Sequence, residues 1–233
     1  MEAQDAAATY FFKAWDWVEN NLRTVIIGVA IIVVAVIIVS YYFWHQNEME
    51  VAAGRALTQF LVSASPSSDP NELADSYLKI ANDYSGTQAG DRALMLGAGT
   101  LFAAGKYPQA QSQFQKYLSV DPNGPLSAAA ALGIAASLDA QGKTDQAVGA
   151  YQRVISGFSD ANAVDAAKFA LGRIDEQAGK FVDAEKFYQD VVRNNPNSVL
   201  GSEAAIRAGQ LRSKAPSTPS SNSSAAPFNL SHP

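Results

Sequence analysis

The chain has 233 residues, a net charge of −5, 48% hydrophobic and 17% charged residues. That length allows one or two domains, and the mildly acidic balance excludes the basic stripe of a nucleic-acid binder. With no cysteine, thiolate catalysis and thiolate metal sites are excluded, while an oxidising compartment is permitted.

In chain order, Phe11, Trp15, Val18 and Leu22 recur at helical spacing, which predicts an amphipathic segment lying in a membrane interface. Thr24–Trp44 follows, 21 residues without a charge, with six isoleucines and six valines between Val25 and Val39. At about 1.5 Å per residue a helix of this length covers roughly 31 Å, enough for a hydrocarbon core about 30 Å thick. Each Ile or Val contributes about −0.3 to −0.6 kcal/mol to insertion, so the twelve give roughly −4 to −7 kcal/mol. A buried strand or core helix is the competing reading, but those are rarely so long and so uniformly apolar.

Tyr41, Tyr42, Phe43 and Trp44 form an aromatic belt at the far end, where amphipathic rings favour the headgroup level. The apolar run exceeds a signal-peptide core, and bulky rings stand where cleavage needs small residues, so an uncleaved anchor is expected. Lys13 and Arg23 precede the span, and Arg55 alone follows it closely. By the positive-inside count the N-terminus is cytoplasmic and the larger C-terminal part lies outside the cytoplasm.

Beyond the span the sequence repeats. Gly105 with Ala110, Gly142 with Ala147, and Gly179 with Ala184 recur at a step of 37 residues, each alanine followed four places on by Phe114, Tyr151 or Tyr188. A period of this size marks stacked supersecondary units. Each glycine stands where a first helix must end in a left-handed C-cap. Each alanine marks the closest approach of two helices, and the aromatic one turn later shares its face. Pro122 and Pro196 stop second helices, since the residue before a proline resists the helical conformation.

A worn fourth copy precedes these: Val51–Val62 as its first helix, Asp69-Pro70-Asn71-Glu72 as a capped turn, then Ala74, Leu78 and Ala81. At the other end Ser198 or Ser202 is positioned to cap a helix running to about Ser213, which would cover the last unit. The Ser/Pro-rich remainder carries scarcely any charge and cannot bury enough apolar surface to order itself. Phe228 and Leu230 within it read as incidental rather than as a binding motif. The expected organisation is therefore 1–23 cytoplasmic amphipathic segment, 24–44 transmembrane anchor, 45–213 all-α solenoid of about four helix–turn–helix units with a capping helix, and 214–233 disordered tail.

Catalysis finds no support. The two histidines, His45 beside the belt and His232 in the tail, lack nucleophile or ligand company. Gly99 to Lys106 imitates a phosphate loop, but its glycine spacing is one residue too long and Tyr107 replaces the magnesium-binding hydroxyl. The acid pairs Asp175/Glu176 and Asp183/Glu185 read as solvated helix faces. No enzyme activity, cofactor, metal or small-molecule substrate is expected.

The recurring residues resemble the tetratricopeptide repeat, with its Leu-Gly in the first helix, then Gly, Ala, an aromatic and a terminal Pro. Leu171, Gly172, Gly179, Ala184, Tyr188 and Pro196 fall on that family's spacing. The other two copies displace Leu-Gly by one position, and the second has Ser159 in place of the proline. In this family the first helices line a concave groove. The resemblance implies a lining that includes Arg92, Met95 and Phe102 in the first copy, Leu132 and Asp139 in the second, and Phe169, Arg173, Glu176 and Gln177 in the third. Such a lining suits an extended peptide or a partner's helix. The competing reading of Met95, Leu132 and Phe169 is packing against neighbouring helices. The family's Lys/Asn carboxylate clamp is not recognisable.

Taken with Trp15-Asp16-Trp17-Val18-Glu19-Asn20-Asn21 and the anchor, the chain is similar to membrane-anchored tetratricopeptide proteins, among them the bacterial ancillary subunit of the Sec translocon. That resemblance implies a single-pass inner-membrane protein with a periplasmic solenoid. Its implied partners are proteins: the translocon, a periplasmic chaperone or an exported client. The alternative is a scaffold subunit of another envelope assembly, such as division, pilus or outer-membrane machinery.

Overall fold

Between Leu22 and Ser63 the sequence has no proline, and its only glycines are Gly28 and Gly54, so no strong breaker interrupts a helix running through the apolar stretch. In the computed structural model, which describes residues 17–19, 21–64 and 69–214, this stretch is a single helix, α1, Leu22–Ser63. The polar His45-Gln46-Asn47-Glu48 segment after the belt continues it without interruption. The side chains from Ile26 to Trp44 are exposed, and α1 is long and apolar enough to cross a membrane. Phe11, Trp15, most of the Trp-rich approach, Lys13, His232 and the Ser/Pro-rich tail with Phe228 and Leu230 lie outside the described residues.

Among the described residues eight further helices follow: α2 (Pro70–Asp83), α3 (Gln88–Ala103), α4 (Tyr107–Val120), α5 (Ser127–Ala140), α6 (Thr144–Gly157), α7 (Ala161–Gln177), α8 (Phe181–Asn194) and α9 (Val199–Lys214). No strand occurs among the described residues. The chain forms two compact units, one comprising residues up to Ala64 with Ile80–Asp91, the other Ser65–Lys79 with Arg92 onward.

In the first unit the extension of α1 is bonded to the turn that opens α3. Gln46 Nε2 donates to the Gly86 carbonyl at 2.9 Å. The Glu50 carboxylate accepts from the Gln88 and Ala89 amides at 2.7 and 3.1 Å, satisfying two N–H groups that a helix N-terminus otherwise leaves open. A negative charge is favoured there by the helix dipole. Buried Thr87 completes the cap, accepting from the Gly90 amide at 3.0 Å.

In the second unit α4 to α9 pack in chain order, each against the next, and α5 meets α7 while α7 meets α9 across the intervening helix. First helices of successive units therefore form one layer and second helices another. Gly105, Gly142 and Gly179 have φ of 76°, 72° and 74°, and the next residue's amide reaches back to the carbonyl of Leu101, Asp175 or, in the middle copy, Leu138. These are Schellman closures, as the spacing predicts. Ala110, Ala147 and Ala184 are fully buried, with Phe114, Tyr151 and Tyr188 beside them. α4 and α8 end one residue ahead of Asp121-Pro122 and Asn195-Pro196. Ser198, not Ser202, caps α9, its Oγ accepting from the Gly201 amide at 2.9 Å.

A second series is legible only in three dimensions. Ala93, Ala130, Ala167 and Ala204 are all fully buried, again one per 37 residues, on α3, α5, α7 and α9. By this register α9 corresponds to a first helix, and it covers the fourth unit.

Candidate protein-binding groove

The exposed side of the first-helix layer is hollow where its residues are small. Ala136 and Ala140 on α5 and Ala170 on α7 leave a concavity of about 370 Å³, walled by Phe102, Asp139, Tyr151, Phe169 and Arg173. Four of the residues that the family resemblance names, one from α3, one from α5 and two from α7, thus converge on one depression.

Two aromatic rings stand on opposite walls. Phe102 packs edge-on against Tyr107, ring centroids 5.2 Å apart. Phe169 lies 5.2 Å from the Tyr188 ring and carries the Arg207 guanidinium over its face at 5.5 Å. Between the walls Arg173 forms an ion pair with Asp139 across adjacent units, so the pair at the base is neutral overall. Arg173 remains about one-third exposed and Asp139 about one-sixth, which leaves guanidinium N–H groups able to donate to a ligand carbonyl.

The remaining named residues do other things. Glu176 accepts from the Tyr188 hydroxyl at 2.9 Å and from Arg207 at 3.3 Å, tying α7 to α8 and α9. Leu132 packs against the core formed by α5, α6 and α7, and Met95 is half-buried on α3. Arg92 and Gln177 are exposed. Tyr151 lines the depression, although its place in the repeat marks it only as a packing aromatic, and Arg207, on the helix expected to cap the last unit, lies over the Phe169 ring. Among the described residues no cluster of His, Cys, Asp or Glu is placed to hold a metal ion.

The family model of the tetratricopeptide repeat-like domain matches residues 13–198. The chain belongs to that family. No curated protein matches it. The matched region begins ahead of the apolar helix and takes in α2 to α8, so apolar helix and solenoid fall within one family match. Tetratricopeptide repeat-like domains mediate protein–protein interaction and are generally non-catalytic, and the groove is the surface on which this chain's first helices converge.

Two core tyrosines of this tetratricopeptide-like solenoid, Tyr151 and Tyr188, hold their protons unusually firmly. Burial raises the Tyr151 phenol well above its ordinary value, and the Asp139 charge adds to the effect. Burial does the same at Tyr188, helped by the hydrogen bond to Glu176. An unfolded tyrosine titrates near pH 10. Above that pH the unfolded chain binds fewer protons than the folded one, so stability falls as pH rises. Thermal unfolding followed by circular dichroism should therefore show a steep loss of stability above about pH 10. Tyr151→Phe and Tyr188→Phe should each make that loss shallower, and an unchanged slope in both would refute the assignment.

Proposed function

We propose that the chain is a non-catalytic adaptor anchored in a membrane by α1, whose groove receives a neutral, apolar or aromatic segment of a partner protein. The observation that carries this reading is the convergence of Phe102 and Phe169 over the neutral Asp139–Arg173 pair. A free carboxylate would have to compete with Asp139 for Arg173, so a C-terminal carboxylate is not the ligand. A segment carrying a bulky apolar side chain, with a backbone carbonyl directed at Arg173, matches the depression in both size and polarity.

The anchor limits which partners are met. We infer a bacterial inner membrane from the family resemblance, with the N-terminus cytoplasmic and the solenoid periplasmic on the strength of the Lys13 and Arg23 bias. There the adaptor serves exported proteins or their chaperones near the Sec translocon. A photo-crosslinking residue at position 102 or 169, in cells, tests this. Capture of the translocon, a chaperone or exported chains by these probes, and not by one at exposed Val182, is the expected result. Capture confined to division, pilus or outer-membrane components would replace the export role with the scaffold reading. Equal capture at all three positions would remove the groove from the mechanism.

A further inference from the structure

We propose that the turn between α2 and α3, Tyr84 to Gln88, is seated in the headgroup layer of the membrane that α1 crosses, making this edge of the first unit a lipid-contacting surface. The inference rests on the membrane reading of α1 given above and adds a second point of membrane contact to it.

The geometry follows from the continuity of α1. Trp44 ends the aromatic belt, and such rings settle at the headgroup level. Gln46, which holds the Gly86 carbonyl, is two residues farther along the same helix, about 3 Å at the usual rise. Glu50, which holds the Gln88 and Ala89 amides, is six residues from Trp44, about 9 Å. Each headgroup layer is roughly 5–8 Å deep, from the difference between total and hydrocarbon thickness. The turn therefore spans that layer and its outer edge. Typical helix tilt of about 20°, acting on an interaxial offset of about 10 Å, shifts it by only about 3 Å.

The composition of the turn suits that position. Tyr84 is half-buried and Ser85, Gly86 and Gln88 are exposed, giving one further ring of the kind found in aromatic belts and several neutral hydrogen-bonding groups. The charged groups around it are Glu50, which caps Gln88 and Ala89, Glu48 and Asp83, both exposed, Asp91 in the first turn of α3, and Arg55, farther along α1. That balance is acidic, opposite to the basic cluster that selects anionic lipid. The contact is thus set by the rigid attachment to α1 and suits zwitterionic headgroups.

Because the chain has no cysteine, single cysteines can carry an environment-sensitive fluorophore at Ser85, Val33 and Val62 in the full-length protein. Val62 is on the same helix and 83% exposed, but lies about 27 Å beyond Trp44. The labelled proteins are reconstituted in phosphatidylcholine vesicles bearing a spin-label quencher either on the headgroup or at mid-chain. At Ser85 the headgroup quencher is expected to remove most of the fluorescence and the mid-chain quencher little. At Val33 the order should invert, and Val62 should respond to neither. Quenching at Val33 with none at Ser85 would overturn the seating alone. Absence of mid-chain quenching at Val33 would overturn the membrane reading and the seating together.

Discussion

Tyr188→Ala is expected to lower the unfolding free energy of the solenoid by about 3–5 kcal/mol, the range for truncating a buried aromatic. Tyr188 is fully buried and lies so close to Gly172 that a Cβ there would sit 2.8 Å from its ring. Gly172, the facing residue, has no side chain with which to fill the space its removal would leave. The hydroxyl adds a second loss, since Glu176 would keep only Arg207. A domain of this size is stable by about 5–15 kcal/mol, so a large share of the margin would go. Tyr188→Phe separates the two contributions: it retains the ring and should cost only about 1–3 kcal/mol for the lost hydrogen bond to a charged acceptor. Urea unfolding of the full chain in mild detergent measures both. An alanine variant no less stable than the phenylalanine variant would show that the ring contributes nothing beyond its hydroxyl.

The parts of the fold that were legible in the sequence are those decided by local chemistry. A left-handed cap requires glycine, so Gly105, Gly142 and Gly179 announced their turns. A proline restricts the residue before it, so Pro122 and Pro196 announced the ends of α4 and α8. Ser198 was one of two candidate caps, and only its hydrogen bond to Gly201 distinguishes it from Ser202. The series Ala93, Ala130, Ala167 and Ala204 stayed hidden because α5 is alanine-rich on every face, which leaves no contrast between its buried and open sides.

Contacts between residues distant in sequence were beyond reach for a different reason. Nothing near Glu50 indicates that it caps a helix 38 residues away, and nothing near Glu176 indicates that Arg207 will meet it. Of the groove, Phe102, Asp139, Phe169 and Arg173 were named by analogy with the family, and the structure places them around one depression. The alanines that hollow it out were not named, because a small residue at a groove and a small residue at a helix crossing look alike in sequence.

Ile32→Arg combined with Val36→Arg is expected to release the protein from the membrane. The two positions are one helical turn apart near the middle of the apolar run, where no nearby headgroup is within reach of a snorkelling side chain. Each arginine costs about 2.5–3.5 kcal/mol at the helix centre and removes a contribution of about −0.3 to −0.6. Together they cost roughly 6–8 kcal/mol, against roughly −4 to −7 kcal/mol from the twelve Ile and Val residues. The parent should resist carbonate extraction from the membrane fraction, and the double variant should not. Ile32→Leu with Val36→Leu, which preserves the apolar character, should behave as the parent. Retention of the arginine variant in carbonate-washed membranes would mean that another segment holds the chain. Two hydrophobic clusters of the solenoid, one spanning α5 to α7 and one joining α8 to α9, are built from residues far from the apolar run, so the released protein should keep the Asp139, Phe169 and Arg173 side of its groove intact. If crosslinks from positions 102 and 169 nonetheless disappear in this variant, the anchor contributes by holding an otherwise competent groove close to its partner.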